Sequence, residues 1–288
     1  MSSPLLLCTD LDRTLIPNGA EPESPSARPW FRRLAALPEV TLAYVSGRHR
    51  ALVEAAIADY DLPMPDYVVG DVGTSIHAIN AGHWQPLPEW QQRIGADWDG
   101  AQAAALRPLF ADLDVLSPQP DDRQGRFKLS YFTPARLDVE SLRARMRARL
   151  EARGIRASLV WSVDEAAACG LLDLLPANAT KYHAVEFLMQ RLGHDATTTV
   201  FAGDSGNDLE VLVSAIPAVL VANAHAEVRA AARRDCVDPA RLYCARGGWQ
   251  GLNGHYAAGI LEGVAHFRPD LVERLLVDSE AASVPPDP

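Results

Sequence analysis

Three apolar, β-rich runs that each stop on a small polar or acidic residue constrain this chain more than any other feature. LLLCT runs into Asp10, VTLAYV into Ser46, and TTTVFAG into Asp204. Between them lie stretches with helical spacing: WFRRLAAL, HRALVEAAIADYDL and KYHAVEFLMQRLG. Strands that are apolar throughout, alternating with helices, describe a parallel sheet covered on both faces. The expected class is therefore α/β, with a Rossmann-like parallel-sheet core. In such sheets the residues just past the carboxyl ends of neighbouring strands converge on one crevice. Asp10, Ser46 and Asp204 all take that position.

The rhythm breaks after about Trp84. EWQQRIGADWDGAQAAALRPLFADL is largely helical and RFKLSYFT alternates as a strand. A helix with apolar Val139, Leu142, Met146 and Leu150 follows, and then the strands RASLVWSV and LLDLLP. This pattern separates an inserted α+β cap domain at residues 84–176 from a core at 1–83 and 177–270. Residues 271–288 are left as a C-terminal tail, with AASVPPDP expected to be disordered. A chain of 288 residues suits two moderate domains.

A formal net charge of −10 argues against a nucleic-acid partner, because a phosphate backbone demands a basic face. Arg143, Arg145, Arg147, Arg149 and Arg153 lie largely away from the apolar seam of their helix and read as a solvated face. Cys8, Cys169, Cys236 and Cys244 show no paired metal-ligand spacing and read as reduced thiols. No signal-like leader is visible, and no apolar run approaches the roughly 20 residues of a membrane span. The expectation is a soluble, cytoplasmic monomer with no membrane partner.

The acidic residues carry the chemistry. Asp10 and Asp12 follow the first strand; Asp204, Asn207 and Asp208 follow a later one. Asp10, Asp12, Asp204 and Asp208 gathered in one crevice repel one another unless a cation intervenes, and a hard, oxygen-preferring ion such as Mg²⁺ answers this. Ser46, Gly47 and the amides after them can donate to phosphate oxygens, aided by the dipole of the helix that begins downstream. Lys181, opening its own helix, either neutralises phosphate and nucleophile or is an exposed first-turn lysine. Taken together, these groups suit a phosphoryl substrate.

In their order along the chain, Asp10-Leu-Asp-Arg-Thr14, Ser46-Gly47-Arg48, Lys181 and Gly203-Asp204-Ser-Gly-Asn207-Asp208 resemble the four motifs of the haloacid-dehalogenase-like phosphatases. The insertion falls between the second and third, where one subclass carries an α/β cap. PDYVVGDVGTSI, FKLSYF, DLLP and GHYAAGILEGVAHF look like segments of the sucrose-phosphate phosphatase family within that subclass. The resemblance covers roughly Leu5 to Phe267. It implies that Asp10 attacks phosphorus and that Asp12, with a raised pKa, serves as acid and base. Ser46, Gly47 and Lys181 would bind phosphate. Asp10, the Asp12 carbonyl and Asp204 would hold Mg²⁺, with Asp208 orienting its waters, and Thr14, Arg48 and Asn207 would support the site. The implied substrate is a disaccharide phosphate such as sucrose 6-phosphate; another solute phosphate (of mannosylfructose or glucosylglycerol) or a sugar phosphomutase activity are the alternatives.

Two features depart from the family pattern. Arg13 stands where a small or amide residue is usual, and SVDEAAACGLL replaces a short serine-glycine-basic-aspartate turn before DLLP. The cap would recognise the sugar. Ala157, Leu159, Trp161 and Val163 share one strand face and suit packing on helices, which leaves Ser158 and Ser162 toward the cleft. Lys128 alternates with Phe127 and Leu129, facing either substrate or solvent.

Overall fold

The computed structural model describes residues 3–164 and 167–282. The outermost tail, 283–288, and two residues of the altered turn before DLLP, 165 and 166, lie outside it. The chain begins with β1 (Leu5–Thr9), α1 (Ala27–Ala35), β2 (Val40–Val45), α2 (Arg50–Asp59), β3 (Tyr67–Gly70), β4 (Ser75–Asn80) and β5 (His83–Pro86). The insertion holds α3 (Pro88–Gly95), α4 (Ala103–Leu106), β6 (Ser117–Pro118), β7 (Leu129–Pro134), α5 (Val139–Glu151), β8 (Ala157–Asp164) and β9 (Cys169–Pro176). The remainder runs through α6 (Lys181–Leu192), β10 (Thr199–Gly203), α7 (Leu209–Leu212), β11 (Ala218–Leu220), α8 (Ala226–Asp235), β12 (Leu242–Cys244), α9 (Ala257–Phe267) and α10 (Pro269–Ala282).

The core sheet has the order β12-β11-β10-β1-β2-β3-β4-β5. Its first six strands are parallel, and β4 and β5 close it as an antiparallel pair. Chain order reverses at β1, which lies between β10 and β2, so the crevice opens beyond β1. Side-chain alternation splits the core into two layers. Leu6, Cys8, Ala43, Val45 and Phe201 face α6 and α7 through Val185, Leu188 and Val211. Leu5, Leu7, Leu42, Tyr44 and Val200 face α1 and α9 through Phe31, Leu34, Ile260 and Val264. β1 and β10 are buried at every residue, which is why they read as continuous apolar runs.

The insertion folds on its own antiparallel sheet, β6-β7-β9-β8. One face, with Leu129, Tyr131, Leu159, Leu172 and Leu174, packs on α5 through Leu142, Met146 and Leu150. Register places Ser130 opposite Asp173 and Val160, and Leu175 opposite Ser158, on the other face.

The structure departs from two expectations. The core sheet extends through Pro86, because β5 pairs with β4 past the expected change at residue 84. The stretch from 271, expected as a tail, is the continuation of α10. Pro269 opens that helix, and Leu271, Val272 and Leu275 are buried in the layer that holds α1 and α9. Their spacing of one and three residues is a helical apolar stripe seeking a partner. Among the described residues no helix is long and apolar enough to cross a membrane, and the four cysteines are free thiols.

Candidate active site

β1 ends at Thr9, and the Asp10 N–H still donates to the Ala202 carbonyl of β10 at 2.9 Å. This last ladder bond fixes where the Asp10 side chain leaves the sheet. Asp204 leaves β10 one strand away, and Asp208 returns from the short turn that follows. The carboxylates of Asp10, Asp204 and Asp208 lie with ligand oxygens within 4.8 Å of one another, all buried. Gly203 makes that turn possible, since a Cβ there would sit 2.6 Å from the Asp208 carboxyl carbon.

Lys181 is the first residue of α6, whose N-terminus is capped by the Thr180 hydroxyl accepting from the His183 N–H. Its side chain is 1% exposed. Its three N–H donors are matched by Asp208 Oδ1 at 2.7 Å, Asp10 Oδ1 at 3.0 Å and Asn207 Oδ1 at 3.1 Å. Asp208 Oδ2 accepts from the Asp204 and Ser205 amides at 3.1 and 3.0 Å and from the Ser205 hydroxyl at 3.1 Å. Both oxygens of Asp208 thus help to fix the loop and the lysine. Asp204 is held from two sides, by the Thr14 hydroxyl on Oδ1 at 3.0 Å and by Arg13 Nε on Oδ2 at 3.3 Å.

Negative charge is in excess here. Burial, opposed by Lys181 and reinforced by Asp208, raises the Asp10 carboxyl to about 8. Burial and the Asp208 charge raise Asp204 to about 6, against the pull of Thr14 and Arg13. Burial disfavours the Lys181 ammonium, but Asp10 and Asp208 outweigh it and its pKa rises. An all-oxygen donor set with uncompensated carboxylates is what a hard divalent cation requires, so Asp10, Asp204 and Asp208 could hold one.

Asp12 corrects one expectation. Its carboxylate lies outside the acidic cluster, 39% exposed. The Arg48 fork grips it with Nε to Oδ2 at 2.8 Å and Nη2 to Oδ1 at 2.7 Å, and Asn18 Nδ2 adds a bond at 2.7 Å. Burial pushes its pKa up, but Arg48 and Asn18 together outweigh this, and the carboxyl is held low rather than raised. The acids on neighbouring strands do not reach it; the arginine after β2 does.

Ser46 is fully buried, and its N–H donates to the Val69 carbonyl at 2.9 Å. Its Oγ accepts from the Arg48 N–H at 3.2 Å. Nothing but the Val72 methyl at 3.9 Å stands near the place a Gly47 Cβ would take. Beside them lies a left-handed turn that no local pattern announces, in which Asp71, Val72 and Gly73 have φ of 52°, 60° and 100°. A β-branched valine there is strained, at a cost on the order of 1–3 kcal/mol. The turn is held by Val72 N–H to the Ser46 carbonyl at 3.3 Å and by Trp90 Nε1 to the Gly73 carbonyl at 3.0 Å. A Cβ on Gly73 would meet the Thr180 backbone at 2.7 Å, so glycine lets the turn press on the start of α6.

Above Lys181 a cleft of about 240 Å³ is lined by Val72, Thr180, Asn207 and Glu210 from the core and by Ser158, Val160 and Leu175 from the cap. Ser162 shares that strand face but does not line the cleft. Lys128 precedes β7 and is not solvent-facing. Its side chain is 11% exposed, with Nζ at 3.9 Å from Asp173 Oδ2, and it also acts on Asp71 of the core. Composition carries a signal of its own: Lys128 and Lys181 are the only lysines among the 27 Lys and Arg residues. Everywhere else the chain uses arginine. Glu210, 3.9 Å from His183, is a further cleft residue with no sequence signal.

The sequence pattern of the sucrose-6F-phosphate phosphohydrolases matches residues 3–268. A Nitrosococcus oceani protein, whose name says no more than HAD-like hydrolase, is 54% identical over 272 residues, covering 94% of this chain and 73% of its own. A glucosylglycerol-phosphate synthase of Pseudomonas anguilliseptica is 29% identical over 271 residues, covering 91% of this chain but only 31% of its own length. The structure of the sucrose-phosphatase from Synechocystis sp. PCC6803, in complex with sucrose and phosphate, is similar with a TM-score of 0.70 at 25% identity, covering 92% of this chain and 98% of that one. With a match that spans both sheets and the whole acidic crevice, the chain belongs to the sucrose-6F-phosphate phosphohydrolase family of haloacid-dehalogenase-like phosphatases and is a phosphoric monoester hydrolase.

Proposed function

We propose that the protein hydrolyses a disaccharide phosphate monoester, with sucrose 6-phosphate the favoured substrate, through an aspartyl phosphate on Asp10. The observation that carries this is Lys181, buried and bonded to Asp10 and Asp208 at once, at the floor of a cleft roofed by the cap. A carboxylate held 3.0 Å from a fixed ammonium is aimed as a nucleophile, and the same ammonium meets the phosphoryl oxygens it attacks. Ser46 and the amides after it bind the remaining oxygens. Mg²⁺, held by Asp10, Asp204 and the Asp12 carbonyl, would neutralise charge on the transferring group.

Asp12 works as acid and base only after leaving Arg48. A phosphoryl dianion arriving beside Ser46 competes for that guanidinium and frees the carboxylate to take a proton from solvent and pass it to the sugar oxygen. The protein at rest therefore holds its acid ionised and to one side. Thr14 and Asn207 keep Asp204 and Lys181 in place.

Sugar choice belongs to the cap, through Lys128 and Ser158, with Ser162 farther along the face. Lys128→Ala should raise KM for the preferred disaccharide phosphate roughly tenfold to hundredfold, the worth of a charged hydrogen bond, and leave p-nitrophenyl phosphate almost unchanged. Equal losses on both esters would place Lys128 in phosphate binding or folding. The altered turn and the likeness to a glucosylglycerol-phosphate synthase support a second reading, a different solute phosphate. Phosphate release from a panel of sugar phosphates, run without a bisphosphate activator, separates these substrates and also a mutase.

Arg13 bears on the cation. A guanidinium 3.3 Å from Asp204 opposes a divalent ion at that carboxylate. Because Arg13 is partly exposed and screened, Arg13→Gln should bind Mg²⁺ about tenfold tighter by calorimetry. Protons must leave the raised carboxyls on binding, so affinity should fall as pH drops from about 8 toward about 6. Weaker binding by Arg13→Gln would show that the arginine orients Asp204 more than it repels the ion.

A further inference from the structure

We infer that Asn223 is a positioning residue that locks Arg13 onto Asp204 and thereby weakens the hold of that carboxylate on a divalent cation. This rests on the proposed role of Asp204 as a metal ligand. Asn223 follows β11, the neighbour of β10 in the sheet, so it emerges at the same edge as Asp204. It is buried. Its Nδ2 donates to the Arg13 main-chain carbonyl at 2.6 Å, and its own main-chain carbonyl accepts from Arg13 Nη2 at 3.3 Å. One residue thus holds both the backbone and the head of Arg13, whose Nε lies 3.3 Å from Asp204 Oδ2.

The backbone of Arg13 needs that hold. Its φ of 58° lies in the left-handed region, which an arginine seldom enters. The Arg13 N–H donates to Asn18 Oδ1 at 2.8 Å, so asparagine side chains take both its N–H and its carbonyl. The other end of the Asn223 amide is taken by the start of α9, where the Tyr256 N–H donates to Oδ1 at 2.9 Å. One bond demands a donor and the other an acceptor, which leaves the amide a single orientation. Tyr256 is fully buried and strained, with φ of 52° and ψ of −132°. Its hydroxyl donates to the Glu21 carbonyl at 3.1 Å, and Glu21 Oε2 lies 3.9 Å from Arg13 Nη2. Gly19 lets this ring of contacts close, since a Cβ there would sit 2.6 Å from Tyr256 Oη. Two non-glycine residues at positive φ, joined through one buried asparagine, are costly to maintain, and strain of this kind collects at functional sites. What the arrangement delivers is a guanidinium against a carboxylate of the acidic crevice. A fixed positive charge there opposes a divalent ion at the same group.

The test is a double-mutant cycle on the full chain, with Mg²⁺ alone titrated by calorimetry and folding followed by Tm. Asn223→Ala removes both side-chain bonds and should bind Mg²⁺ several-fold tighter than the wild type, approaching Arg13→Gln. In the Arg13→Gln background the same change should alter affinity by less than about twofold, because the group it positions is gone. A residue that only stabilised the loop would instead lower the Tm and weaken Mg²⁺ binding in both backgrounds. If Asn223→Ala does not fold, Asn223→Ser takes its place with the same sign expected, since a hydroxyl there can still accept from the Tyr256 N–H. The inference fails if the folded variant binds Mg²⁺ no tighter than the wild type, or if its effect persists in full without Arg13. Failure of the wild type to bind Mg²⁺ at all would overturn the metal-ligand role of Asp204 as well.

Discussion

Asp10→Asn is expected to lose at least about three orders of magnitude in kcat, some 4 kcal/mol of barrier, while folding normally. The amide is nearly isosteric, and its oxygen can still accept from Lys181, so the packing around β1 has no reason to change. What disappears is the nucleophile, and an amide forms no acyl phosphate. Single-turnover phosphate release measures the loss, and calorimetry with the substrate on the same variant shows whether the site remains assembled. Retention of more than a few per cent of kcat would rule out covalent catalysis through Asp10.

The second large effect lies one bond away. Lys181→Ala removes the only lysine of the core and strands two buried carboxylates, Asp10 and Asp208, without their shared cation. Breaking a buried pair by deleting one partner costs roughly 3–5 kcal/mol, since the surviving charge has no water to turn to. Urea unfolding of the metal-free variant should show that loss, and Mg²⁺ should restore part of it by supplying positive charge to the same carboxylates. Lys181→Arg should not rescue turnover. The pocket encloses a compact ammonium with three donors, and a planar fork on a bulkier head cannot reproduce those three bonds. Wild-type stability of metal-free Lys181→Ala would mean that the carboxylates are already protonated and the ion pair contributes nothing.

Arg48→Met is informative about the resting state. Without the fork, the Asp12 carboxyl should titrate higher than in the wild type, an effect visible by carboxyl NMR. An unchanged titration would assign the low pKa to Asn18 alone.

The division between sequence and structure follows the range of the forces involved. Local periodicity is written in the chain. A parallel strand buried on both faces must be apolar throughout, so β1 and β10 announced themselves, and the residues that end them had to meet at the crevice because parallel topology leaves them nowhere else. The start of a helix left Lys181 open between the crevice and an exposed first turn, whereas α5 was marked by its apolar spacing. The fold class and the acidic crevice were therefore determined by sequence alone. Which charge pairs with which was not. Arg48 and Asp12 are 36 residues apart, and Arg13 and Asp204 are 191 apart; their meeting depends on where loops end once the sheet has formed. That is why Asp12 was expected among carboxylates and is found in the grip of an arginine. The left-handed turn at Asp71, Val72 and Gly73 runs against the preference of valine and exists only because Ser46, Trp90 and the start of α6 hold it. The helix after Pro269 has a stripe too short to demand a place in the core until α1 and α9 supply the other half of the contact. Sequence determined what each segment is and which end of the sheet carries the chemistry. Tertiary structure decided the protonation and the partners of each group there, because charge interactions are set by proximity in space and not along the chain.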